Sequence, residues 1–509
     1  MTAEGNDHGH ATGGPTVGGL RAERPALPGR WHALTVSLAA SFMTLLDVSI
    51  VNVALPSIER DLGASAASVQ WVVSGYALAY GLALVPAGRL GDVLGRRRMF
   101  LIALSAFVVT SALSGAAPST GLLIAARLLQ GIAGGTLYPQ SSGLIQELFG
   151  GAERGRAFGF LGATVGLATA AGPVIGGLIL ATFGGPDGWR WVFYVNLPIG
   201  LVALALAARL VPATTRGGLR GVHLDLVGSL LLGGGVLCLL LPLVDASDGG
   251  LNRLWPLFAL AVTLLAGFAR WETRTVRRGA QPLLDPQLFR IPGYVPGLGI
   301  GLVYFVGFTG IWLVMAMFLQ NGLGYSPLRS GLAVTPFALG VAVSAVLAGR
   351  LVARVGRWLT VTGLTTTTVG VAATALVLRD VGGDRAAWAA AGPLLLGGLG
   401  GGMVTSPNVT LTLASVPVRM AGAAGGALQT AQRIGSAIGT ALLASVFYRV
   451  LQGSGHDYPT AISAALLCAA GLMLLALLLA IAEMWHRRSG RRDQPVPAPQ
   501  PEHRHVGLA

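Results

Sequence analysis

Asp47 is the only carboxylate set deep inside any long apolar run of this 509-residue chain; Glu147, Asp225 and Glu483 fall near the ends of theirs. If those runs cross a bilayer, an ionisable side chain within one marks a functional position by default, because it is costly to keep there. Arg127 lies inside another run. Counted from the outer ends of their runs at ~1.5 Å per residue, Asp47 lies about 12 Å deep and Arg127 about 8 Å deep, within one helical turn of each other. Two chemistries fit. Burial disfavours a charged carboxylate and a neighbouring guanidinium favours it, so a change in access to water loads or releases a proton at Asp47. Alternatively, the two groups form a permanent ion pair locking two helices together.

Other residues suggest gating and binding. The segment GRLGDVLGRRR carries Gly88, Arg89, Gly91, Asp92, Gly95, Arg96 and Arg97 between two apolar runs. It is either a loop anchored by anionic lipid or a gate in which Asp92 pairs with arginines or a neighbouring helix end, a pair weak enough to break. Gly172, Pro173, Gly176 and Gly177 allow a helix to kink and pack closely, as a static bend or a moving one. Tyr304, Phe308, Trp312 and Met315 share one helical face, a surface suited to flat ligands or to ordinary packing. Tyr76 and Tyr138 are lesser candidates for the lining of a substrate cavity, with Asn52, Gln130 and Asn408 as polar ones. Arg433 lies near the middle of a run, with no carboxylate deep in the second half of the chain to pair with it.

The elements that hold these residues follow from composition. Hydrophobic residues make up 53% of the chain and charged residues 11%, with a mean hydropathy of +0.67. A soluble chain carries about a quarter charged residues. The apolar residues fall into fourteen runs, each near the ~20 residues a spanning helix needs, and helix is the assignment that satisfies backbone hydrogen bonds in lipid. The expected class is therefore all-α and polytopic. SAASVQWVVSGYALAYGLALVPAGRLGDVLGRR from Ser65 aligns without a gap with SPLRSGLAVTPFALGVAVSAVLAGRLVARVGRW from Ser326, and GIAGGTLYPQ from Gly131 echoes GLGGGMVTSPN from Gly398. The expected organisation is a tail at 1–30, six-helix halves at 31–211 and 295–485, a linker with two extra helices at 212–294, and a tail at 486–509. Duplicated halves around a midplane site are a transporter plan.

The net charge of +14 raises nucleic acid as a partner, but its distribution reports topology. Threaded with the N-terminus inside, 26 of the 35 arginines fall on the cytoplasmic side and 7 outside, the positive-inside bias. Both tails are then cytoplasmic. The chain has no lysine, so it lacks the phosphate-gripping lysine of a P-loop. Cys238 and Cys468 read as small buried hydrophobes. His503 and His505 sit in an Arg- and Pro-rich tail and read as solvated rather than metal-binding. A membrane enzyme or sensor would need a soluble catalytic domain or a clustered set of His, Asp or Glu, and neither stands out.

Several stretches resemble the major facilitator superfamily, specifically its fourteen-helix drug:proton antiporter branch. They are LDVSIVNVALPSI (Leu46 to Ile58), GRLGDVLGRRR (Gly88 to Arg98), RLLQGIAGG (Arg127 to Gly135), GPVIGG (Gly172 to Gly177) and WRWVFYVNLPIG (Trp189 to Gly200). They fall in the expected order along residues 31–485. The resemblance implies a proton-coupled exporter of small organic drugs or antibiotics in the cytoplasmic membrane. It implies a monomer that needs no cofactor beyond the proton gradient, with protons, a small-molecule substrate and the lipid bilayer as partners and no nucleic acid. An uptake symporter or native-metabolite exporter of the same fold is the alternative, and a sensor or enzyme the third. Two departures stand out: Ala168 replaces a glycine of the antiporter motif, and Ala353 stands in the second half where Asp92 stands in the first.

Overall fold

The computed structural model describes residues 29–64, 66–212, 225–244, 250–280 and 282–492. Most of both tails, His503 and His505 included, lies outside the described residues, as does the side chain of Pro173. The described residues are helical, with no strand among them.

The long helices are α1 (Arg30–Leu62), α2 (Ala66–Leu94), α3 (Arg96–Gly115), α4 (Thr120–Leu148), α5 (Gly151–Thr182), α6 (Asn196–Leu210) and α7 (Leu226–Val244). The series continues with α8 (Pro256–Arg277), α9 (Tyr294–Met317), α10 (Pro327–Val355), α11 (Trp358–Asp380), α12 (Ala386–Leu413), α13 (Ala421–Gly453) and α14 (Tyr458–Arg492). Among the described residues, eleven segments are long and apolar enough to cross a membrane. The other three expected runs form α5, α7 and α8. Large apolar side chains such as Ile102, Val109, Leu230 and Leu478 stand exposed on the outer faces, the surface that hydrocarbon rather than water would solvate.

Local chemistry fixes where the helices stop and start. Gly63 closes α1 in the left-handed region, φ +56°, and its N–H donates to Glu59 O. Gly95 alone joins α2 to α3, at φ +97°, where a side chain would be strained. Ser119 and Ser326 cap α4 and α10, accepting from the N–H groups of Leu122 and Arg329. Pro327 follows Ser326 at the first position of α10, where its missing N–H costs nothing. The helices α2 and α10 each span 29 residues, and they start at the two aligned positions of the internal repeat.

The first-half and second-half helices meet along two seams, α2 against α13 and α5 against α10. Both seams are glycine contacts. A methyl group at Gly88 of α2 would collide with the carbonyl oxygen of Gly422 in α13, and one at Gly349 of α10 would collide with that of Gly155 in α5. Small residues let helix backbones touch, which is how helices associate without a hydrophobic drive in lipid. Outside this frame α7 packs on α8 and also touches both α2 and α13, through Leu78, Val236, Leu240 and Ile434.

The α5/α10 contact predicts a steep size limit. Gly349→Val forces two backbones apart and costs about 1–3 kcal/mol as overpacking. The purified variant is expected to unfold several degrees below wild type in detergent, whereas Gly392→Ala, facing open space, leaves the midpoint unchanged.

Candidate functional site

Asp47 and Arg127 meet inside the first half. Both are fully buried, at 0% exposure, and Arg127 Nη1 donates to Asp47 Oδ2 at 2.5 Å. The second carboxylate oxygen, Oδ1, accepts from Gln130 Nε2 at 3.1 Å and from Asn196 Nδ2 at 2.8 Å. Arg127 Nε donates to Val72 O at 3.1 Å, its Nη1 also reaches Gln130 Oε1 at 2.8 Å, and its Cζ stands 4.1 Å from the centre of the Tyr76 ring. Ser111 Oγ accepts from Asn196 Nδ2 at 3.0 Å and donates to Phe193 O. Helices α1, α2, α3, α4 and α6 thus all contribute to one polar cluster walled by apolar side chains.

The helices deliver these groups by simple periodicity. Arg127 and Gln130 stand three apart on α4 and face the same way. Asn196 is the first residue of α6, and the short helix Trp191–Tyr194 before it positions the turn. A buried ion pair repays its desolvation only when its remaining donors and acceptors are satisfied. Here Arg127 Nη2 and Asn196 Oδ1 alone in the cluster lack a partner among the described residues. Besides the carboxylate, Arg127 has Val72 O, Gln130 Oε1 and the face of Tyr76 as partners, the last attracting a cation electrostatically.

Asp92 joins a second centre at the end of α2. Its Oδ1 accepts from Arg96 Nη2 at 2.8 Å and from the Gly422 N–H at 3.0 Å, and its Oδ2 accepts from the Ala423 N–H at 3.0 Å. A carboxylate of the first half therefore caps the N-terminus of α13 in the second, where the helix dipole favours negative charge. Arg96 also donates to Val418 O and lies 3.5 Å from Glu147. Gly91 presses against Gln140, Arg97 donates to Ala208 O, and Arg89 is half-buried.

The remaining candidates scatter. The helix α5 continues unbroken through 172–177. A methyl at Gly172 would strike Ser49, two residues beyond Asp47, and Gly176 faces Val53, so these two glycines seat α5 on α1, while Gly177 faces Leu328 of α10. Gln130, grouped by sequence with the cavity candidates, belongs to the ion-pair cluster. Asn408 is buried and bonded to Arg357 Nη1 at 2.9 Å and to Gly297 O at 3.0 Å. Arg357 also meets Glu483, at 2.7 Å, so Glu483 is a buried, paired carboxylate and not a water-facing one. Tyr304 and Met315 are buried in the second-half core, while Phe308 and Trp312 are half-buried around Phe337. Asn52 is exposed and bonded within its own helix, and Tyr138 is half-buried between two core clusters. Arg433 lies with its Cζ 4.5 Å from the centre of the Tyr80 ring, across the α2/α13 seam. Sequence reasoning missed Asn196 as a site residue. Its signals were an uncharged amide inside an apolar run and its place in the WRWVFYVNLPIG stretch.

A helical bundle with membrane-length elements, two repeated seams and a charged cluster in its interior defines a polytopic membrane transporter. Residues 37–440 match the family described as the Major Facilitator Superfamily, and the chain belongs to it. It is 38% identical to the puromycin resistance protein pur8 of Streptomyces alboniger, over 89% of this chain and 91% of that protein. It is 37% identical to a probable actinorhodin transporter of Streptomyces coelicolor, covering 86% and 76%, and 33% identical to the tetracenomycin C resistance and export protein of Streptomyces glaucescens, covering 87% and 79%. Among solved structures, the human organic anion transporter MFSD10 superposes with a TM-score of 0.65 at 16% identity, covering 89% of this chain and 100% of that one. The proton:xylose symporter XylE follows at 0.62 and 17%, covering 90% and 95%. These two share the fold.

The Asn196 contact is testable. Replacing Asn196 by Leu removes one donor to a buried carboxylate, an interaction worth about 1.5–3 kcal/mol. A lowered unfolding midpoint and reduced transport are expected, with Asn196→Gln recovering part of both.

Proposed function

We propose that this protein is a proton-coupled antiporter exporting small organic drugs or antibiotics across the cytoplasmic membrane by alternating access. The observation that carries the reading is the buried cluster of Asp47, Arg127, Gln130 and Asn196, an ionisable carboxylate held inside the first half by a guanidinium and two amide donors. Relatives named for actinorhodin, puromycin and tetracenomycin C support export as the direction and antibiotics as the cargo class. In this reading fourteen helices cross the membrane, as two six-helix halves flanking the α7–α8 pair, with both termini cytoplasmic. The protein works as a monomer and draws its energy from the proton gradient alone. The end carrying Asp92 is cytoplasmic, so the Asp92 cap on α13 and the Gly155–Gly349 contact close that side and leave the state facing outward.

Substrate polarity follows from charge. Arg127 and Arg433 outnumber Asp47 in the interior, and Arg433 meets an aromatic face rather than a carboxylate. The cavity therefore prefers neutral or weakly acidic compounds over dications. Equal or faster export of divalent cationic dyes would refute this preference. Arg433→Ala is expected to cut efflux of acidic compounds about tenfold, the scale of one charge-assisted hydrogen bond, while sparing neutral ones.

Coupling is tested in inside-out vesicles acidified within and followed by a pH-sensitive dye. A panel of neutral, acidic and cationic antibiotics is added to wild type and to Asp47→Asn. Proton release by some compound from wild type and not from the variant is the expected result. Equal release from both would make the ion pair structural.

A further inference from the structure

The two seams between the halves are built alike but finished differently. At the α2/α13 seam, Gly88 touches Gly422, Arg89 follows Gly88, and Asp92 supplies an anion that ties the halves together. At the α5/α10 seam, Gly349 touches Gly155, Arg350 follows Gly349, and Ala353 occupies the place of the anion. Beside that contact opens a pocket of about 450 Å³ lined by Trp31, Arg156, Phe160 and Arg350. Arg156 comes from the first half and Arg350 from the second. Neither guanidinium has a carboxylate or hydrogen-bond partner among the described residues, and both are exposed. Glu153, one turn before Arg156, is already taken by Arg30 at 2.8 Å.

The surroundings select the missing anion. Arg30 and Trp31 open the first membrane-length segment and Arg350 lies in the last turns of another, so the pocket sits at the edge of the hydrocarbon layer. Trp31 and Phe160 meet edge to face, 6.2 Å between centres, and give it an aromatic wall of the kind that settles at headgroup depth. Basic pockets between helices on the cytoplasmic side hold anionic lipid headgroups. A soluble anion would gain nothing from the aromatic wall, whereas a phospholipid can lay its glycerol and upper acyl carbons there.

We propose that this pocket seats the phosphate of an anionic glycerophospholipid between Arg156 and Arg350, supplying at the second seam the bridging charge that Asp92 supplies at the first. The lipid holds the two halves together in the state described here. The site stands apart from the buried Asp47 cluster, so its test does not depend on proton coupling.

The full chain is reconstituted in nanodiscs of phosphatidylcholine, with or without a fraction of phosphatidylglycerol, and lipid retained through gentle detergent extraction is read by native mass spectrometry beside the unfolding midpoint. Wild type is expected to retain phosphatidylglycerol preferentially and to unfold later when it is present. Arg156→Gln and Arg350→Gln each lower that preference about fivefold, the effect of one cation near an anionic surface. The double variant loses little more, because one phosphate needs both. Unchanged midpoints in pure phosphatidylcholine identify the variants as folded. Three results would overturn the proposal: full phosphatidylglycerol retention by the variants, equal stabilisation of wild type by inorganic phosphate, or strictly additive losses.

Discussion

A charge placed where neither water nor lipid headgroup can reach it must be neutralised on the spot, and this molecule is arranged around that demand. Asp47 has no exposure, so its two oxygens dictate what faces them: a guanidinium from α4 and amide donors from α4 and α6. Those donors in turn fix how α1, α4 and α6 pack, because each amide reaches only about 3 Å. Arg127 carries the same demand and meets it with a backbone carbonyl and an aromatic face. The first half is thereby held by directional bonds at its centre. The second half places its own buried pair, Arg357 with Glu483, between α11 and α14.

Glycine sets the complementary constraint between the halves. Where α2 meets α13 and α5 meets α10, the backbones come so near that no side chain fits. Dispersion and weak dipolar contacts do the holding there, each small and all sensitive to a fraction of an ångström. Such contacts let helices separate and return without a large barrier, which suits the proposed alternating exposure of the interior to each side. The Asp92 cap, together with Arg96 donating to Val418 O, adds breakable polar ties to this otherwise soft boundary.

Much of this was legible in sequence, for reasons that also mark where legibility ended. Asp47 and Arg127 stood out because a charge in an apolar run is rare and expensive, and counting residues placed them at similar depth. The helices and the repeat were legible because spanning length and a gapless alignment are one-dimensional properties. Asn196 was not, since its role depends on a short turn, Trp191–Tyr194, that brings α6 back toward α1. Gln130 shares a face with Arg127, but which way that face points is decided by α1 and not by α4. Glu483 lies near the end of its apolar run, yet α14 extends to Arg492 and Arg357, the residue just before α11, reaches it, so distance along the chain misjudged its burial. The partners of Asn408 were hidden for the same reason: its two bonds go to Arg357 and Gly297, far away in sequence.

The unequal finish of the two seams bears on how the halves would part in the proposed cycle. A joint tied by side-chain bonds and a joint of touching backbones do not yield together. The first resists until its bonds snap and then gives way at once, as a detent does. The second, glycine backbone on glycine backbone with the proposed lipid beside it, turns like a lubricated bearing. The parting motion is therefore expected to be lopsided, turning about the glycine bearing as the catch at Asp92 springs.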